Sequence, residues 1–311
     1  MNVALFGASG FIGGYLLKEL IDQCFHPRIL IRSGSESKIK IDKGRIHSFY
    51  GDLDSDRSVR KVLEHSDAVI YNIGIIREFK SKGITFESIH FDGLKKVVDA
   101  AQDLNIKRFI LMSANGIENA STGYQKSKLK AEEYLKKSGL DWTIFRPSLV
   151  FGESGPGMAE FCLDLKRKMI RPPIPAPLFF RGFSVISSGS FEMSPIHASD
   201  VAKFFVKSLA MDKTFSRTYE LGGPSTVSWK EIIKNIALAM GKKRKLVIPV
   251  PASQVKLIAA IFDRFSWFPI TRDQITMLLQ GNTCDSSEHY KEFDIDPIYF
   301  SVENLDYLMS A

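Results

Sequence analysis

LFGASGFIGGYLL, residues 5–17, is the stretch that decides the fold of this chain. It follows a short apolar run and contains four glycines in thirteen positions, and Gly7, Gly10 and Gly13 are spaced G-x-x-G-x-x-G. Where a strand turns into a helix, such glycines let the backbone bend tightly and approach a pyrophosphate, which then meets free N–H groups at the positive end of the helix dipole. The candidate dinucleotide-binding residues of this turn are Gly7, Ser9, Gly10, Phe11, Ile12 and Gly13.

Short apolar runs alternate with longer amphipathic segments through the first half of the chain. The predicted strands are residues 2–7, 28–32, 46–52, 68–74, 108–114 and 142–152, and the predicted helices between them are residues 12–23, 56–64, 87–104 and 124–138. Continuous apolar strands separated by helices indicate βαβ units, whose parallel sheet is covered on both faces. The sequence therefore predicts an α/β Rossmann fold, a doubly wound parallel sheet.

The second half of the chain is less regular. Residues 171–195 are rich in Pro, Gly, Ser and Phe, which is typical of extended segments and loops, whereas residues 196–211 predict a helix with Ser199 or Asp200 as its N-cap. We expect residues 1–150, rejoined by about 195–224, to form the nucleotide-binding domain. Residues 151–194 and 225–311 are then expected to form a smaller mixed domain for a substrate or a partner.

The composition excludes several classes of protein. Mean hydropathy is −0.05 over 311 residues, and no apolar run approaches the ~20 residues of a membrane-spanning helix. The first residues lead directly into a strand pattern, without the basic segment of a signal peptide. Cys24, Cys162 and Cys284 are scattered and form no CxxC pair, so they indicate thiols in a reducing compartment and no metal site. We therefore expect a cytoplasmic protein, with a position peripheral to a membrane as the alternative.

The net charge of +7 favours an anionic cofactor, substrate or surface. The densest basic cluster, GKKRK at residues 241–245, stands between a helix pattern and a strand pattern, and we interpret it as a solvated turn. No aromatic-rich nucleic-acid module accompanies it, so nucleic acid is not an expected partner.

The end of the second predicted strand discriminates between the two nicotinamide dinucleotides. A site for NAD(H) usually carries Asp or Glu there, about 20 residues after the glycine turn, to bind the ribose 2′-hydroxyl. Here the strand ends at Arg32 and Ser33, with Lys38 close by and no carboxylate at the strand tip. Because a guanidinium can clamp a 2′-phosphate, the sequence predicts NADP(H), with NAD(H) as the alternative.

Two further strand ends carry candidate cofactor contacts. Asp52, after the third strand, is placed to accept a hydrogen bond from the adenine amino group while Leu53 packs on the ring, although the same acidic segment is alternatively only a helix cap. After the fourth strand a small residue lets the backbone pass the cofactor, and the candidates there are Asn72, Ile73 and Gly74.

Seven segments together resemble the short-chain dehydrogenase/reductase superfamily, in its extended and atypical, epimerase/dehydratase-like branches. They are GASGFIGGYL, GDL, IHFDGLKKVVDAA, RFILMSANG, YQKSKLKAEEYLKKSGLDWTIFRPSLVFG, SPIHASDVA and YELGGPSTVSWKEI. The similarity runs over nearly the full chain. Its C-terminal part, with ITRDQITMLL at residues 270–279, is most similar to the family of NAD(P)-binding accessory subunits of respiratory complex I and its bacterial relatives.

The resemblance identifies Tyr124 and Lys128 as the Tyr-x-x-x-Lys pair of the superfamily. Positions i and i+4 share one helix face, so the ammonium can lie near the phenol. A nearby cation and an oxidised nicotinamide both favour the phenolate, which gives the phenol acid/base reactivity, and Lys128 can also bind the nicotinamide ribose.

The third catalytic position departs from the family pattern. A Ser or Thr normally follows the fifth strand and polarises the substrate carbonyl, and here Ser113 matches the first serine of the motif while Asn115 stands where the hydroxyl is often found. Because an amide can also donate a hydrogen bond, both residues are catalytic candidates. His90 replaces an Asn of many extended members, and we interpret it as a helix histidine packed against the sheet. His197 and Asp200 are expected to be structural.

The sixth strand, FRPSLVFG, resembles the segment that lies along the nicotinamide in this superfamily. The resemblance implies cofactor contacts from Pro147, Ser148 and Val150. Arg146 is either a substrate-facing residue or a structural ion-pair partner, and both interpretations stay open.

Beyond residue 152, many apolar side chains predict a site for a hydrophobic substrate, with ordinary core packing as the alternative. The aromatic candidates are Phe179, Phe180, Phe183, Phe262, Phe265, Trp267 and Phe268. The helix predicted at residues 252–265, with Lys256 and Arg264 beside its apolar face, alternatively rests on a membrane surface or on a protein complex.

Three functions follow from these observations. The first is an NADP(H)-dependent oxidoreductase that acts on a hydrophobic carbonyl, enone or isoprenoid-like substrate. The second is a non-catalytic nucleotide-binding accessory or assembly protein of a membrane respiratory complex. The third is a nucleotide-sugar epimerase or dehydratase, which shares the scaffold, although nothing in the second half resembles a clamp for a nucleotide-sugar diphosphate.

Overall fold

Most apolar runs of the first half form strands that are buried on both faces, as their lack of alternation predicts, whereas the run at residues 46–52 forms a partly exposed strand at the edge of the sheet. The structure is a computed structural model that describes residues 1–41, 43–118, 120–155, 157–182, 184–263 and 270–310. Its strands are β1 (Asn2–Phe6), β2 (His26–Ile31), β3 (His47–Tyr50), β4 (Ala68–Tyr71), β5 (Arg108–Met112), β6 (Asp141–Pro147), β7 (Val150–Phe151), β8 (Ala176–Phe180), β9 (Glu192–Met193), β10 (Ile196–His197), β11 (Arg217–Leu221), β12 (Val227–Ser228) and β13 (Val247–Pro251).

Seven of these strands form one parallel sheet, in the order β11-β6-β5-β4-β1-β2-β3. The order reverses between β1 and β4, and the carboxyl ends of these two strands therefore border the crevice in which such sheets bind ligands. This sheet confirms the predicted doubly wound α/β fold. Three two-stranded sheets pair β7 with β10, β8 with β13 and β9 with β12, and they give the second half its mixed character.

Some helices cover the two faces of the central sheet, and others pack around a second core. The α-helices of the described residues are α1 (Phe11–Asp22), α2 (Asp56–Leu63), α3 (Gly93–Asp103), α4 (Gly123–Lys136), α5 (Phe161–Leu165), α6 (Ala198–Ser208), α7 (Trp229–Ala239), α8 (Ala252–Phe262), α9 (Arg272–Gln280), α10 (Ser287–Glu292) and α11 (Tyr307–Ser310). Alternate strand residues pack against α1 and α6 on one face and against α2, α3 and α4 on the other. Among the described residues, none of these helices is long and apolar enough to cross a bilayer.

The predicted helix at residues 87–104 begins as a π-helical turn, Glu87–Asp92, in which His90 is buried, and it continues directly as α3. Two local expectations are wrong. The sixth predicted strand ends at Pro147, which lacks the N–H that a continued ladder needs, and the chain resumes as β7. The N-cap of α6 is His197, whose backbone is extended and whose Nδ1 accepts the N–H of Ser199 at 3.2 Å, and neither Ser199 nor Asp200 caps the helix.

A second hydrophobic core lies outside the sheet, and we call the described part of the chain around it the second lobe (residues 149–155, 157–182, 184–193, 227–263, 270–279 and 300–308). Its largest fully buried side chain is Trp229, whose ring lies against those of Phe161, Phe179 and Phe191. The indole Nε1 donates to the carbonyl of Pro177 at 2.9 Å, which satisfies its one polar group. This core fixes α8 and α9 beside the carboxyl edge of the sheet.

We expect Gly13→Ala to destabilise the protein by about 1–3 kcal/mol, because overpacking a fixed backbone forces it to shift. A Cβ at residue 13 would lie 2.0 Å from the carbonyl oxygen of Gly7. Gly14→Ala is the matched control, since only its own helix backbone surrounds that position, and the exchange should stabilise by about 0.5–1 kcal/mol. Urea unfolding measures both, and equal stabilities of the two variants would contradict the packing described here.

Candidate functional site

The glycine turn joins β1 to α1 directly beside the end of β4. Gly7 has a φ of +98°, a backbone conformation that side chains other than glycine's rarely adopt. A Cβ at this residue would also lie 2.9 Å from the carbonyl carbon and oxygen of Asn72. Gly7 is therefore required by the close approach of two strands, before any ligand is considered.

The start of α1 presents backbone donors to the same crevice. The N–H groups of Phe11, Ile12 and Gly13 have no hydrogen-bond partner among the described residues, as is usual in a first helical turn, and Gly10 gives no side-chain cap. A Cβ at Gly10 would meet only the carbonyl of Gly7, at 3.3 Å, so the protein leaves the space outside this residue open. Unpaired donors at a positive helix end fit a diphosphate. Ser9, half-buried in the same turn, borders this space.

The ends of β2 and β3 carry the residues predicted to bind the adenosine part of a dinucleotide. Arg32, Ser33 and Lys38 are exposed in the turn after β2, and no ion pair within the described ranges involves either cation. Asp52 is exposed after β3, where its carboxylate accepts the N–H of Asp54 at 3.2 Å. Leu53 is buried.

The side chain of Leu53 takes part in helix packing. Its Cδ2 would lie only 2.4 Å from a Cβ at Gly93, the first residue of α3. The cap of α2 is Ser55, whose hydroxyl oxygen accepts the N–H of Ser58 at 3.3 Å. The acidic segment after β3 therefore holds a helix cap, and it leaves Asp52 exposed beside that cap.

Lys128 is a buried cation at the carboxyl edge of the sheet. Its Nζ donates to the carbonyl of Met112, the last residue of β5, at 3.0 Å. It also lies 3.3 Å from the position that a Cβ would take on Gly74, just beyond β4. Burial lowers the pKa of Lys128 to about 8, against a smaller opposing effect of the Glu132 carboxylate.

His90 is held in one tautomer by its neighbours. Its Nε2 accepts the N–H of Ile75 at 3.1 Å, so Nδ1 carries the proton and donates to Ser127 Oγ at 2.8 Å. The Ser127 hydroxyl in turn donates to the carbonyl of Tyr124 at 2.8 Å. Burial, reinforced by the charge of Lys128, lowers the pKa of His90 to about 2, so the ring is neutral. The predicted structural role of His90 agrees with these contacts, which connect β4 to α4.

Tyr124 lies in the first turn of α4, with its ring in edge contact with Phe86 and His90, at centroid distances of 5.7 and 5.2 Å. Its hydroxyl makes no hydrogen bond with any described residue. Burial raises the pKa of Tyr124 to about 12. The phenol therefore keeps its proton at neutral pH, while its ring is fixed by two aromatic neighbours.

The two candidates for the third catalytic position face different surroundings. Ser113 is buried and makes no hydrogen bond of regular geometry among the described residues, but it lies close enough to Glu132 to lower the pKa of that carboxyl against the larger, raising effect of burial. Asn115 is half-buried, and its side-chain amide donates to the carbonyl of Thr283 at 3.3 Å. Asn115 thus keeps polar atoms available at the edge of the site, whereas Ser113 is buried near Glu132.

Arg146 forms an internal ion pair, which decides between the two interpretations of this residue. Its Nε and Nη2 donate to the two carboxylate oxygens of Glu132, at 2.9 and 2.8 Å, and Glu118 binds the remaining nitrogen. Glu132 is fully buried, so the bidentate pair compensates a charge that would otherwise be costly. Arg146 is a structural residue.

The segment predicted to follow the nicotinamide is firmly anchored. Pro147 accepts the N–H of Asn115 at 3.0 Å, and Ser148 Oγ donates to the carbonyl of Asn282 at 2.7 Å. Val150 belongs to β7 and is half-buried. The Ser148 hydroxyl is thus engaged with the protein, whereas the backbone of this segment lies along the ends of β6 and β11.

The described aromatic residues among those predicted to line a substrate pocket differ in burial. Phe179 and Phe180 are buried, and Phe179 belongs to the second core. Phe262 is partly exposed at the end of α8. Four further aromatic candidates lie outside the described residues: Phe183, Phe265, Trp267 and Phe268. Arg264, the cation predicted beside α8, also lies outside them.

Sequence reasoning missed the contacts between the second lobe and α4. The Asp273 carboxylate accepts the N–H of Gly123 at 3.0 Å, directly before Tyr124, and Gln280 accepts from the side chain of Gln125 at 3.0 Å. These pairs are separated by about 150 positions in the chain, so no local pattern could reveal them. The sequence signal for this contact is ITRDQITMLL, which contains Asp273 but by itself indicates only the family resemblance.

Comparisons with known proteins agree with the observed fold. Residues 7–160 match a family model described as NAD(P)H-binding. The chain is 27% identical to the mitochondrial NADH-ubiquinone oxidoreductase 40 kDa subunit of Neurospora crassa, over 99% of this chain and 79% of that protein. It is 26% identical to a ceramide reductase of Caulobacter vibrioides, over 85% of this chain and 78% of that protein. The UDP-glucose 4-epimerase of Thermus thermophilus, solved with NAD, has a TM-score of 0.74 at 17% identity, covers 100% of this chain and 98% of its own, and so shares the fold.

The buried cation at residue 128 should make stability depend on pH in a defined window. Between pH 8 and 10.5 the folded state loses this proton while the unfolded state keeps it, so the free energy of unfolding rises with pH. In Lys128→Met this contribution is absent. We expect the difference between the wild type and the variant to change by about 2–3 kcal/mol in favour of the wild type from pH 7.5 to 10.

Urea unfolding at a series of pH values measures this difference. Lys126→Met, on the exposed side of the same helix, is the control and should follow the wild-type curve. Parallel curves for Lys128→Met and the wild type would show that the ammonium is not held as described.

Proposed function

Residues 7–160 belong to the NAD(P)H-binding family, and on this premise we propose that the protein is an NADP(H)-dependent oxidoreductase of the short-chain dehydrogenase/reductase superfamily. One observation carries the proposal. Lys128 and Tyr124 lie one helical turn apart on α4, and the Lys128 ammonium is held against the ends of β4 and β5, next to the crevice that the glycine turn borders. A purely structural lysine would not need to be buried without a full counter-charge at this edge.

We assign the diphosphate of the cofactor to the backbone N–H groups of residues 11–13 and its 2′-phosphate to Arg32 and Lys38. The exposure of both cations and their lack of a carboxylate partner within the described chain support NADP(H) over NAD(H). Asp52 is placed for the adenine amino group, and the residues proposed along the nicotinamide side are Asn72, Ile73, Gly74, Pro147, Ser148 and Val150. When bound, the cofactor supplies or accepts a hydride at nicotinamide C4.

The protein side of the reaction is proton transfer, and we assign it to Tyr124. Its phenol keeps its proton at neutral pH, which suits a general acid that protonates a carbonyl oxygen, so we favour the direction of reduction. The neighbouring Lys128 charge stabilises the phenolate that this transfer leaves behind. Asn115 orients the substrate oxygen, because its amide remains at the edge of the site whereas Ser113 is buried near Glu132.

We further propose a hydrophobic carbonyl, enone or isoprenoid-like substrate. The similarity to a ceramide reductase supports a lipid-like molecule, and so do the exposed apolar side chains of α8, which packs next to α9 beside Tyr124. In this assignment residues 1–150 and 195–224 bind the cofactor, and the second lobe closes over it. We place the protein in the cytoplasm, peripheral to a membrane.

A second candidate is a non-catalytic, nucleotide-binding accessory or assembly protein of a membrane respiratory complex. It is favoured by the similarity to a respiratory-complex subunit over 99% of this chain. Both candidates require the same cofactor site, so nucleotide binding alone does not separate them. They differ in whether the Tyr124 hydroxyl is needed for any turnover.

We expect Tyr124→Phe to lower kcat at least about 100-fold, because the proton donor is removed, while the dissociation constant for NADPH stays within about twofold. NADPH oxidation with long-chain aldehydes, ketones and isoprenoid enones measures the first quantity, and NADPH fluorescence the second. Tyr134→Phe, on the same helix, is the control and should turn over normally. Absence of NADPH oxidation by the wild type with every member of this substrate set would favour the accessory protein.

NADPH should bind at least about tenfold more tightly than NADH, because the 2′-phosphate gains charged hydrogen bonds from Arg32. Arg32→Ala should remove most of this preference by weakening NADPH about tenfold without changing NADH. Fluorescence titration with both dinucleotides measures it, with Lys137→Ala on a remote exposed position as the control. Equal or tighter binding of NADH by the wild type would refute the assignment of the 2′-phosphate site.

A further inference from the structure

Helix α8 is apolar on the side that faces away from the protein. Its inner stripe, Ala252 and Ala259, is buried. On the opposite side Leu257, Ile258 and Ile261 are 66%, 47% and 53% exposed, at the i, i+1, i+4 spacing of a single helical face. A helix on a protein surface normally presents polar residues to water, so an apolar outer face indicates a partner.

Exposed apolar side chains continue at both ends of this helix. The segment that precedes it carries Leu246, Val247 and Ile248, all exposed, and β13 packs against α8. Beyond its last turn, the carbonyl of Asp263 accepts a hydrogen bond from Arg77 at 2.7 Å, which brings the exposed Ile76 to that end. We call Leu257, Ile258 and Ile261 the α8 face.

Three cations lie close together around Lys256 of α8. Arg181 and Arg272 lie near enough to Lys256 for their charges to add to the effect of burial, which lowers the pKa of Lys256. Within the described ranges, no carboxylate forms an ion pair with any of the three. A concentration of uncompensated positive charge beside an apolar stripe is complementary to an anionic surface that also offers hydrocarbon.

The size of this face favours a bilayer over another protein. The α8 face by itself, one side of an eleven-residue helix, is smaller than the ~1,200–2,000 Å² that a stable protein interface buries. A membrane needs only a few inserted apolar side chains and nearby cations, because the interface itself supplies the hydrocarbon and the negative charge. The position of the helix is also suitable, since α8 packs on α9, and Asp273 of α9 binds the backbone directly before Tyr124.

We propose that the α8 face docks on a bilayer that contains anionic phospholipids, with Leu257, Ile258 and Ile261 inserted at the acyl boundary and Arg181, Lys256 and Arg272 at the headgroups. The docked orientation turns the Tyr124 side of the protein toward the membrane. The docking proposal depends only on these surface residues. A further consequence is that a lipid carbonyl substrate enters from the bilayer, and this consequence rests on the proposed function.

Flotation with vesicles tests the docking on the full chain. The wild type should float with vesicles of phosphatidylglycerol and phosphatidylcholine and remain at the bottom with phosphatidylcholine alone. Leu257→Glu/Ile261→Glu should lower the partition coefficient at least about tenfold, since a charge replaces each inserted side chain. Lys256→Gln/Arg272→Gln should lower it about fivefold per charge removed, and only for anionic vesicles.

Met309→Glu is the matched control, because Met309 is a highly exposed apolar residue on α11, and it should float like the wild type. NADPH binding, measured for each variant, should be unchanged and shows that the variants are folded. A wild type that binds NADPH but does not float refutes the docking and leaves the proposed function intact. A wild type that floats but binds neither NADPH nor NADH refutes the proposed function and supports the docking.

Two other results would overturn the docking. If the wild type is a dimer by sedimentation equilibrium and Leu257→Glu/Ile261→Glu makes it monomeric without changing flotation, the α8 face contacts a second copy of the chain. If the double variant floats as well as the wild type, another surface binds the vesicles. Loss of flotation in the double variant with retained NADPH binding is the result that we expect.

Discussion

The close approach of two backbone segments at the glycine turn is the constraint on which the rest of the site depends. Gly7 turns with positive φ against the end of β4, and its carbonyl then fills the space in which residue 13 would carry a side chain. As a result α1 starts close to the sheet, and its first N–H groups open onto the crevice between β1 and β4. Gly74 and Lys128 lie at the adjoining strand ends, so both residues border this crevice.

Helix α4 carries two buried charges one turn apart, and they are compensated in different ways. Glu132 receives both arms of Arg146, so most of its charge is used within that pair. Lys128 has a backbone carbonyl as its hydrogen-bond acceptor and a lowered pKa. A cation with so little local compensation can respond to charge that develops nearby, and this arrangement, together with the neutral His90, distinguishes the site from an ordinary ion-pair network.

The alternation of apolar runs and helical segments predicts the doubly wound fold, and the seven-stranded sheet confirms it, because both signals depend on residues that are near in sequence. The details that sequence reasoning missed depend on distant pairs. The side chain of Ser113 is buried near Glu132, and the start of α4 is held by Asp273. The N-cap of α6 is His197, and the sequence did not predict it for another reason. Several neighbouring polar side chains can cap a helix, and only the backbone angles show which of them does. The roles assigned to the cofactor residues remain predictions.

Phe145 of β6 packs against Phe204 and Phe205 of α6, Tyr219 of β11 and Phe293, so residues far along the chain cover a strand of the matched half. The similarity to the family model ends at residue 160, before any of these partners. A gene segment that encoded only residues 7–160 would leave the ring of Phe145 without these partners and would expose its side of the sheet to water. Recombination between related genes is therefore not expected to transfer the nucleotide-binding half as an independent module.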